Sequence, residues 1–405
     1  MKSLSSLSFF VNFAMKKLLL PLLLIFLTSC SLEKEEKMQK ERLIGVKVYP
    51  HSAWFLENFA HREEALISEL KTRGFNLVSM PLWNGRSCWY DTELFPKSQI
   101  PFEILKFRRL CREEDIAFAA IAPIFFDLET LALHPGKEAL YQNLRRESAS
   151  WQRFVSPCDT AYQRHKIDLI IDMAKNVNPD FISLDFIRFP VIWENYPLHT
   201  HTDSILFGAW DSRCWNAFHA SPFYPKNLPA EENGAPIKQL IKRHRPQLAA
   251  WKKAVISQFV KDLKNELENN HSSIPLIIHT LPWQESDFEG AIGWMAGQSP
   301  ESLGPEAAYL SPMLYWGLTG QNATQISSSL NFWRGPEKSF AILPSIPWSV
   351  VINESPPPLA EWSETVNLIL EKSDGVVLFH LEKILQDSSI DSHKKQQILN
   401  AGKRF

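Results

Sequence analysis

The residue with the clearest chemical capacity is Asp185, inside Phe181-Ile-Ser-Leu-Asp-Phe-Ile-Arg-Phe-Pro190. Apolar Phe181, Ile182 and Leu184 read as a short buried strand that ends on one acid. An ionised carboxylate is costly to bury without partners, so this acid is either paired or working. Arg188, three residues on, is the cation nearest in sequence. An ion pair lowers a carboxylate pKa, which suits a nucleophile or base better than a proton donor; the same arginine could instead grip an anionic sugar. Glycoside hydrolysis needs two carboxyl groups across a cleft, one of them protonated. Asp127, Glu194, Glu285, Asp287 and Glu382 each follow a strand-like run. Glu285 is preferred as the second carboxylate, because Pro282-Trp-Gln-Glu285 sets it just past a strand end beside an aromatic ring.

Aromatic residues punctuate the same strand ends. Tyr49 ends the first apolar run, with Trp54 soon after; Trp83, Trp283, Trp316 and Trp348 follow others, and Pro81-Leu-Trp83, Pro282-Trp283 and Pro347-Trp348 share a pattern. Such rings present flat apolar faces with a hydrogen-bonding edge, which matches the C–H faces and polar rims of sugars. The expectation is that Trp83, Trp283, Trp316 and Trp348 form sugar platforms and that Tyr315 adds a hydrogen bond. The competing expectation is that these rings pack the seam between helices and strands.

Other chemistries are less well supported. His199, His201, Asp203 and His219 lie close in sequence, but their spacing is not specific for metal; zinc-dependent hydrolysis is the minor alternative, and no metal or other cofactor is expected. Cys158 has no identifiable catalytic partner, and no Gly-x-Ser-x-Gly elbow is present. A formal net charge of −2 provides no basic field for nucleic acid.

Short apolar runs alternate with amphipathic stretches from residue 43 onward, the pattern of βα units on a parallel sheet. Strands are expected at Leu43–Tyr49, Asn76–Leu82, Ile116–Ile121, the Asp185 run, Leu276–Leu281, Ala308–Tyr315, Phe340–Ile346 and Gly375–His380. Helices are expected before Arg73-Gly74, over Pro101–Glu114, Thr160–Asn176 and Lys252–Glu268, and near 322–333 and 358–372. Eight alternating units close naturally into a (β/α)8 TIM barrel, whose active sites lie at the carboxyl ends of the strands. An open doubly wound sheet is the competitor, but no glycine fingerprint follows the first strand. The longest insertion, about 191–247, follows the fourth strand and is rich in aromatics; loops of this length are usually functional.

Residues 1–29 read as a signal peptide: Met15-Lys-Lys starts a basic, then apolar, then small-residue segment. Its apolar run is short for a membrane span, and Met15 is the more natural start. Leu27-Thr-Ser-Cys30 resembles a bacterial lipobox, which implies a lipid on Cys30 and a membrane-anchored lipoprotein of the cell envelope. Ser31 in the next position favours the outer membrane. Residues 30–42 form a charged tether, and 43–405 the TIM-barrel domain. Cys88, Cys111, Cys158 and Cys214 then allow three pairings into two bridges, and their spacing selects none.

The segment Ser156-Pro-Cys-Asp159, the helix after it and Pro179-Asp-Phe-Ile-Ser-Leu-Asp-Phe-Ile-Arg-Phe-Pro190 together resemble bacterial glycoside-hydrolase-like TIM-barrel families. Those families carry an Asp-Tyr-Ile-Arg-Phe-Pro type of strand; Phe186 stands here where Tyr is common. Leu310-Ser-Pro-Met-Leu-Tyr315 and Ile342-Leu-Pro-Ser-Ile346 resemble their later strands in order and separation. The resemblance spans roughly residues 43–390. It implies a barrel acting on carbohydrate, with Asp185 as the strand acid and Arg188 as its arginine. A carbohydrate-binding envelope lipoprotein without catalysis is the alternative function.

Overall fold

A computed structural model describes residues 42–143, 152–208, 210–225, 235–336, 339–349, 357–387 and 391–402. The signal peptide, Cys30 and nearly all of the charged tether lie outside the described residues. Among those described, no helix is long and apolar enough to cross a membrane.

The apolar runs form nine strands: β1 (Leu43–Lys47), β2 (Leu77–Pro81), β3 (Ala117–Pro123), β4 (Phe181–Asp185), β5 (Leu276–Thr280), β6 (Tyr309–Pro312), β7 (Ala341–Ile342), β8 (Ser345–Pro347) and β9 (Gly375–Phe379). All pair in parallel, in the order β7-β6-β5-β4-β3-β2-β1-β9-β8. β7 and β8 are two halves of the single run expected at 340–346, parted at Leu343-Pro344. The first half pairs with β6 and the second with β9. Leu343 N–H donates to the Leu310 carbonyl, Leu314 N–H to Ser345, and Val377 N–H to Pro344. These bonds carry the ladder across the break and close the sheet into an eight-stranded parallel barrel.

Intervening helices include Ile104–Glu113, Thr160–Val177, Ala323–Arg334 and Leu359–Lys372. Gly74 takes the left-handed conformation (φ +75°) after the helix Glu63–Thr72, as a helix stop requires. The helix expected at Lys252–Glu268 is longer, Ala235–Asn269, with a break at His244 two residues before Pro246. Part of the expected insertion is therefore helix.

Side-chain alternation along the strands divides the interior in two. Leu77, Ala119, Phe181, Ile277, Leu343 and Val377 make a small apolar plug inside the barrel. Ile182, Leu184 and their equivalents face outward into a much larger cluster against the helices. Two residues beyond the plug positions, the axis turns polar: Ser79, Ser183, His279, Ser311 and Ser345 are all buried, and Lys47 joins them. Two residues further along β4 comes Asp185.

The insertion spends its aromatics on anchorage. Phe218 packs 4.9 Å from Trp251 of the long helix, and Phe207 meets Trp294 edge-on at 5.1 Å. Cys158 and Cys214 form a disulfide across 56 positions, tying the loop before Thr160–Val177 to the insertion helix Ser212–His219; Cys88 and Cys111 are buried free thiols. Cys158→Ala is expected to lower stability by about 2–4 kcal/mol through loss of loop closure, read as the shift in the urea midpoint without reductant.

Candidate active site

The strand ends meet at a mouth floored by the polar layer. Asp185 Oδ2 lies 3.3 Å from Lys47 Nζ of β1, with the lysine side chain 2% exposed and the aspartate 13%. Asp185 Oδ1 accepts from the N–H of Phe186 at 2.9 Å. That turn places Phe186 at φ +53°, a strained conformation for a bulky residue, of a kind that collects at functional sites. Burial pushes the Asp185 pKa up, but Lys47, then His279 and the Phe186 N–H, outweigh it and hold the carboxyl down at about 2. His279 bonds Ser183 Oγ at 2.9 Å. Burial and the Lys47 charge push its own pKa down to about 3, so the imidazole is neutral near pH 7.

Arg188 is not the partner of Asp185. Its guanidinium is buried, donates to the Val191 carbonyl at 2.8 Å and to Gln152 Oε1 at 3.5 Å, and lies over the Phe154 ring at 4.8 Å. It serves instead the turn that carries Glu194, the first acid of the insertion. Glu194 Oε1 accepts from Gln152 Nε2 at 3.1 Å, and its buried Oε2 has no hydrogen-bond partner among the described residues. Burial raises the Glu194 pKa, the charge on Asp185 adds to this, and Arg188 and Gln152 offset it only in part. Glu285, the expected second carboxylate, is exposed; its Oε1 folds back over Gly290, and it is not among the groups whose charge acts on Asp185. Of these two acids, Glu194 is the one on which the Asp185 charge acts. Asp127 is occupied elsewhere, by Lys166 at 2.9 Å and by capping the helix Leu128–Leu133.

The aromatic lining also differs from expectation. Trp83, Trp283, Trp316 and Trp348 are each at most 4% exposed. A stacking platform needs an open face, and these faces are covered: Trp348 packs on Trp362 at 5.5 Å and Trp283 on Phe288 at 4.9 Å. They belong to the seam. Trp348→Ala is expected to cost about 3–5 kcal/mol of stability, as thermal unfolding would show.

The rings that do face the mouth include Tyr49, which the strand-end pattern named, and Phe379 and His380, which it did not. Tyr49, Phe379 and His380 are half-buried. Tyr49 meets Phe379 at 6.0 Å and His380 at 5.6 Å, and Tyr315 continues the wall at 5.6 Å from Phe379 and 5.9 Å from Trp193. The Tyr315 hydroxyl lies 3.1 Å from Ser345 Oγ. Burial, reinforced by the Asp185 charge, raises the pKa of both Tyr49 and Tyr315, so both phenols stay neutral. Burial, together with Lys383, pushes His380 down to about 4.

The insertion histidines do not assemble a site. His201 Nδ1 is 3.9 Å from Asp203 Oδ2, while His219 packs on Tyr224 at 4.4 Å. Among the described residues, no three His, Cys, Asp or Glu side chains group as metal ligands.

Solved structures of similar fold include several glycoside hydrolases. The chain is similar to the PgaB (BpsB) glycoside hydrolase domain from Bordetella bronchiseptica, at TM-score 0.62 and 12% identity, over 87% of this chain and 97% of that one. It is similar to alpha-L-fucosidase isoenzyme 2 from Paenibacillus thiaminolyticus, at TM-score 0.56 and 11% identity, over 89% of this chain and 48% of that one. For the beta-galactosidase from Rahnella sp. R3 the values are 0.56, 12%, 90% and 55%; the chain spans about half the length of these last two. At such identity the likeness establishes the fold. No family model and no curated protein matches the sequence.

Proposed function

We propose that the protein is a glycosidase that cleaves an O-glycosidic bond by general acid catalysis from Glu194 with Asp185 as the ionised partner. One observation carries this reading: two carboxyl groups at one barrel mouth are pushed in opposite directions, Asp185 down to about 2 and Glu194 up. Environments that separate two carboxyl pKa values assign an acid and a base.

Glu194, protonated, gives its proton to the glycosidic oxygen as the C–O bond breaks. Asp185, held ionised by Lys47, faces the positive charge that develops on the sugar ring, as nucleophile or as base for the water whose addition completes hydrolysis. With Asp185 as nucleophile, Glu194 regains its proton from the water that cleaves the glycosyl–Asp185 bond; with Asp185 as base, Asp185 takes that water's proton and releases it to solvent, and Glu194 is reprotonated from solvent. Neutral Tyr49 and Tyr315 supply hydroxyl donors to the sugar, and the half-buried rings of Tyr49, Phe379 and His380 supply the apolar surface. The glycosidase folds of its structural neighbours support a carbohydrate substrate. The lipobox-like Leu27-Thr-Ser-Cys30 supports attachment through Cys30 to the cell envelope, and with it an envelope or extracellular polysaccharide as substrate.

The test is a panel of polysaccharides incubated with the purified protein, its Asp185→Asn variant and its Glu194→Gln variant. New reducing ends from the parent alone support the reading. Binding without cleavage by the parent would replace it with the carbohydrate-binding alternative.

A further inference from the structure

Lys252 is a fully buried lysine that forms no salt bridge among the described residues. Its ammonium donates to the carbonyls of Gly208 at 2.5 Å and Met295 at 3.0 Å. Three rings surround the charge: Phe189 at 4.6 Å, Phe207 at 4.7 Å and Trp210 at 5.9 Å. A buried ammonium is costly unless its charge and its donors are answered; here carbonyl dipoles and ring faces answer them.

The segments that meet at this lysine are those that bound the Glu194 loop. Gly208 N–H donates to the Pro190 carbonyl at 2.7 Å, and Val191 bridges Phe207 in antiparallel fashion. Residues 191–207 therefore leave and re-enter at one closed base. Gly208 must be glycine there, since a Cβ would stand 2.8 Å from Pro190 Cγ. On the other side, Phe189 N–H donates to the Ala296 carbonyl at 2.9 Å. Gly297 (φ +75°) lets that backbone lie against Lys252, where a Cβ would come within 2.9 Å of the Lys252 carbonyl.

We propose that Lys252 is a positioning residue: it clasps the base of the 191–207 loop to the segment after β5 and thereby sets where Glu194 stands relative to Asp185. The catalytic part of this proposal rests on Glu194 being the acid.

The test uses the full-length protein carrying Lys252→Met, which keeps the length of the side chain and removes its donors and charge. Lys394→Met is the control: Lys394 is also caged, by Trp348 at 5.0 Å and Trp362 at 4.6 Å, and bonds the Trp348 carbonyl at 2.7 Å, on the helix Asp391–Gly402. Two readouts are taken. Hydrogen exchange at the Gly208 and Phe189 amides should speed up at least about tenfold in Lys252→Met only, with the β4 amides unchanged. Turnover should fall about 10²-fold, the cost of a small misplacement, with KM little altered. The alkaline limb of the pH profile should move to lower pH, because burial is the main cause of the raised Glu194 pKa.

Unchanged exchange at Gly208 and Phe189 overturns the clasp whether or not the protein cleaves glycans. Faster exchange with unaltered turnover and pH profile overturns the link to Glu194. If the parent cleaves no glycan, the glycosidase reading fails while exchange still decides whether Lys252 holds the loop. A Lys394→Met variant that lost turnover and shifted the alkaline limb equally would reduce Lys252 to one of two general stabilisers and overturn its positioning role.

Discussion

Glu194→Gln is expected to lower turnover about 10²- to 10⁴-fold, the usual contribution of a positioned proton donor. The loss should be largest on glycosides with poor leaving groups and small on aryl glycosides whose phenol departs without a proton. The pH profile provides the second signature. Burial raises the Glu194 pKa, so the acid form persists above the ordinary carboxylate range and the rate falls as pH rises through the raised value. In Glu194→Gln that alkaline limb should vanish, leaving residual activity flat with pH. Rates with two substrates of different leaving-group acidity, across pH 3–9, would check both points. A uniform loss on both substrates, with the alkaline limb intact, would remove Glu194 from the role of acid.

The second large effect concerns the Lys47–Asp185 pair. Asp185→Asn should abolish turnover, and it should also cost about 3–5 kcal/mol, since it strands a buried lysine charge. Lys47→Met/Asp185→Asn should recover much of that stability and none of the activity. The pair also makes stability depend on acid. The Asp185 pKa is depressed from 3.8 to about 2, so its contribution is fully present above the ordinary value. It is lost as pH falls from near 4 toward 2. A shift of this size is worth about 2 kcal/mol. Urea unfolding of the parent and the double variant at pH 2, 4 and 7 would show the parent losing this increment and the variant not. Equal stabilities for Asp185→Asn and the double variant would mean that Lys47 is solvated in the folded protein.

The barrel was legible in the sequence because each strand is an apolar run between turn residues, and because β4 presents its acid at the end where alternation points inward. The seventh strand read as one run; its break at Leu343-Pro344 follows from a proline that cannot continue the ladder. Lys47 was not legible. It lies inside the expected strand Leu43–Tyr49, which holds no acid, and its partner lies 138 positions away. Only closure of the barrel brings β1 opposite β4. Glu194 stood among the candidate acids, but its raised pKa depends on burial and on the nearby Asp185 charge, which local sequence does not encode. Glu285 was preferred for its neighbouring tryptophan, and that ring turns into the seam. The four tryptophans were correctly placed at strand ends; which way a ring turns there is decided by the helix that covers it. The aromatic anchorage of the insertion follows the same rule, with rings spent on docking a loop rather than on receiving a sugar.

The split interior has a consequence for how this protein can be improved. Inside the barrel a small group of apolar side chains forms the plug, and above them the axis is given over to lysine, histidine and serine. Cohesion rests on the outer cluster between strands and helices. Substitutions that raise heat tolerance should therefore be sought in that outer shell and at helix caps. Filling the axis with larger apolar groups would tighten the barrel at the expense of the Lys47–Asp185 electrostatics, the familiar exchange of activity for rigidity.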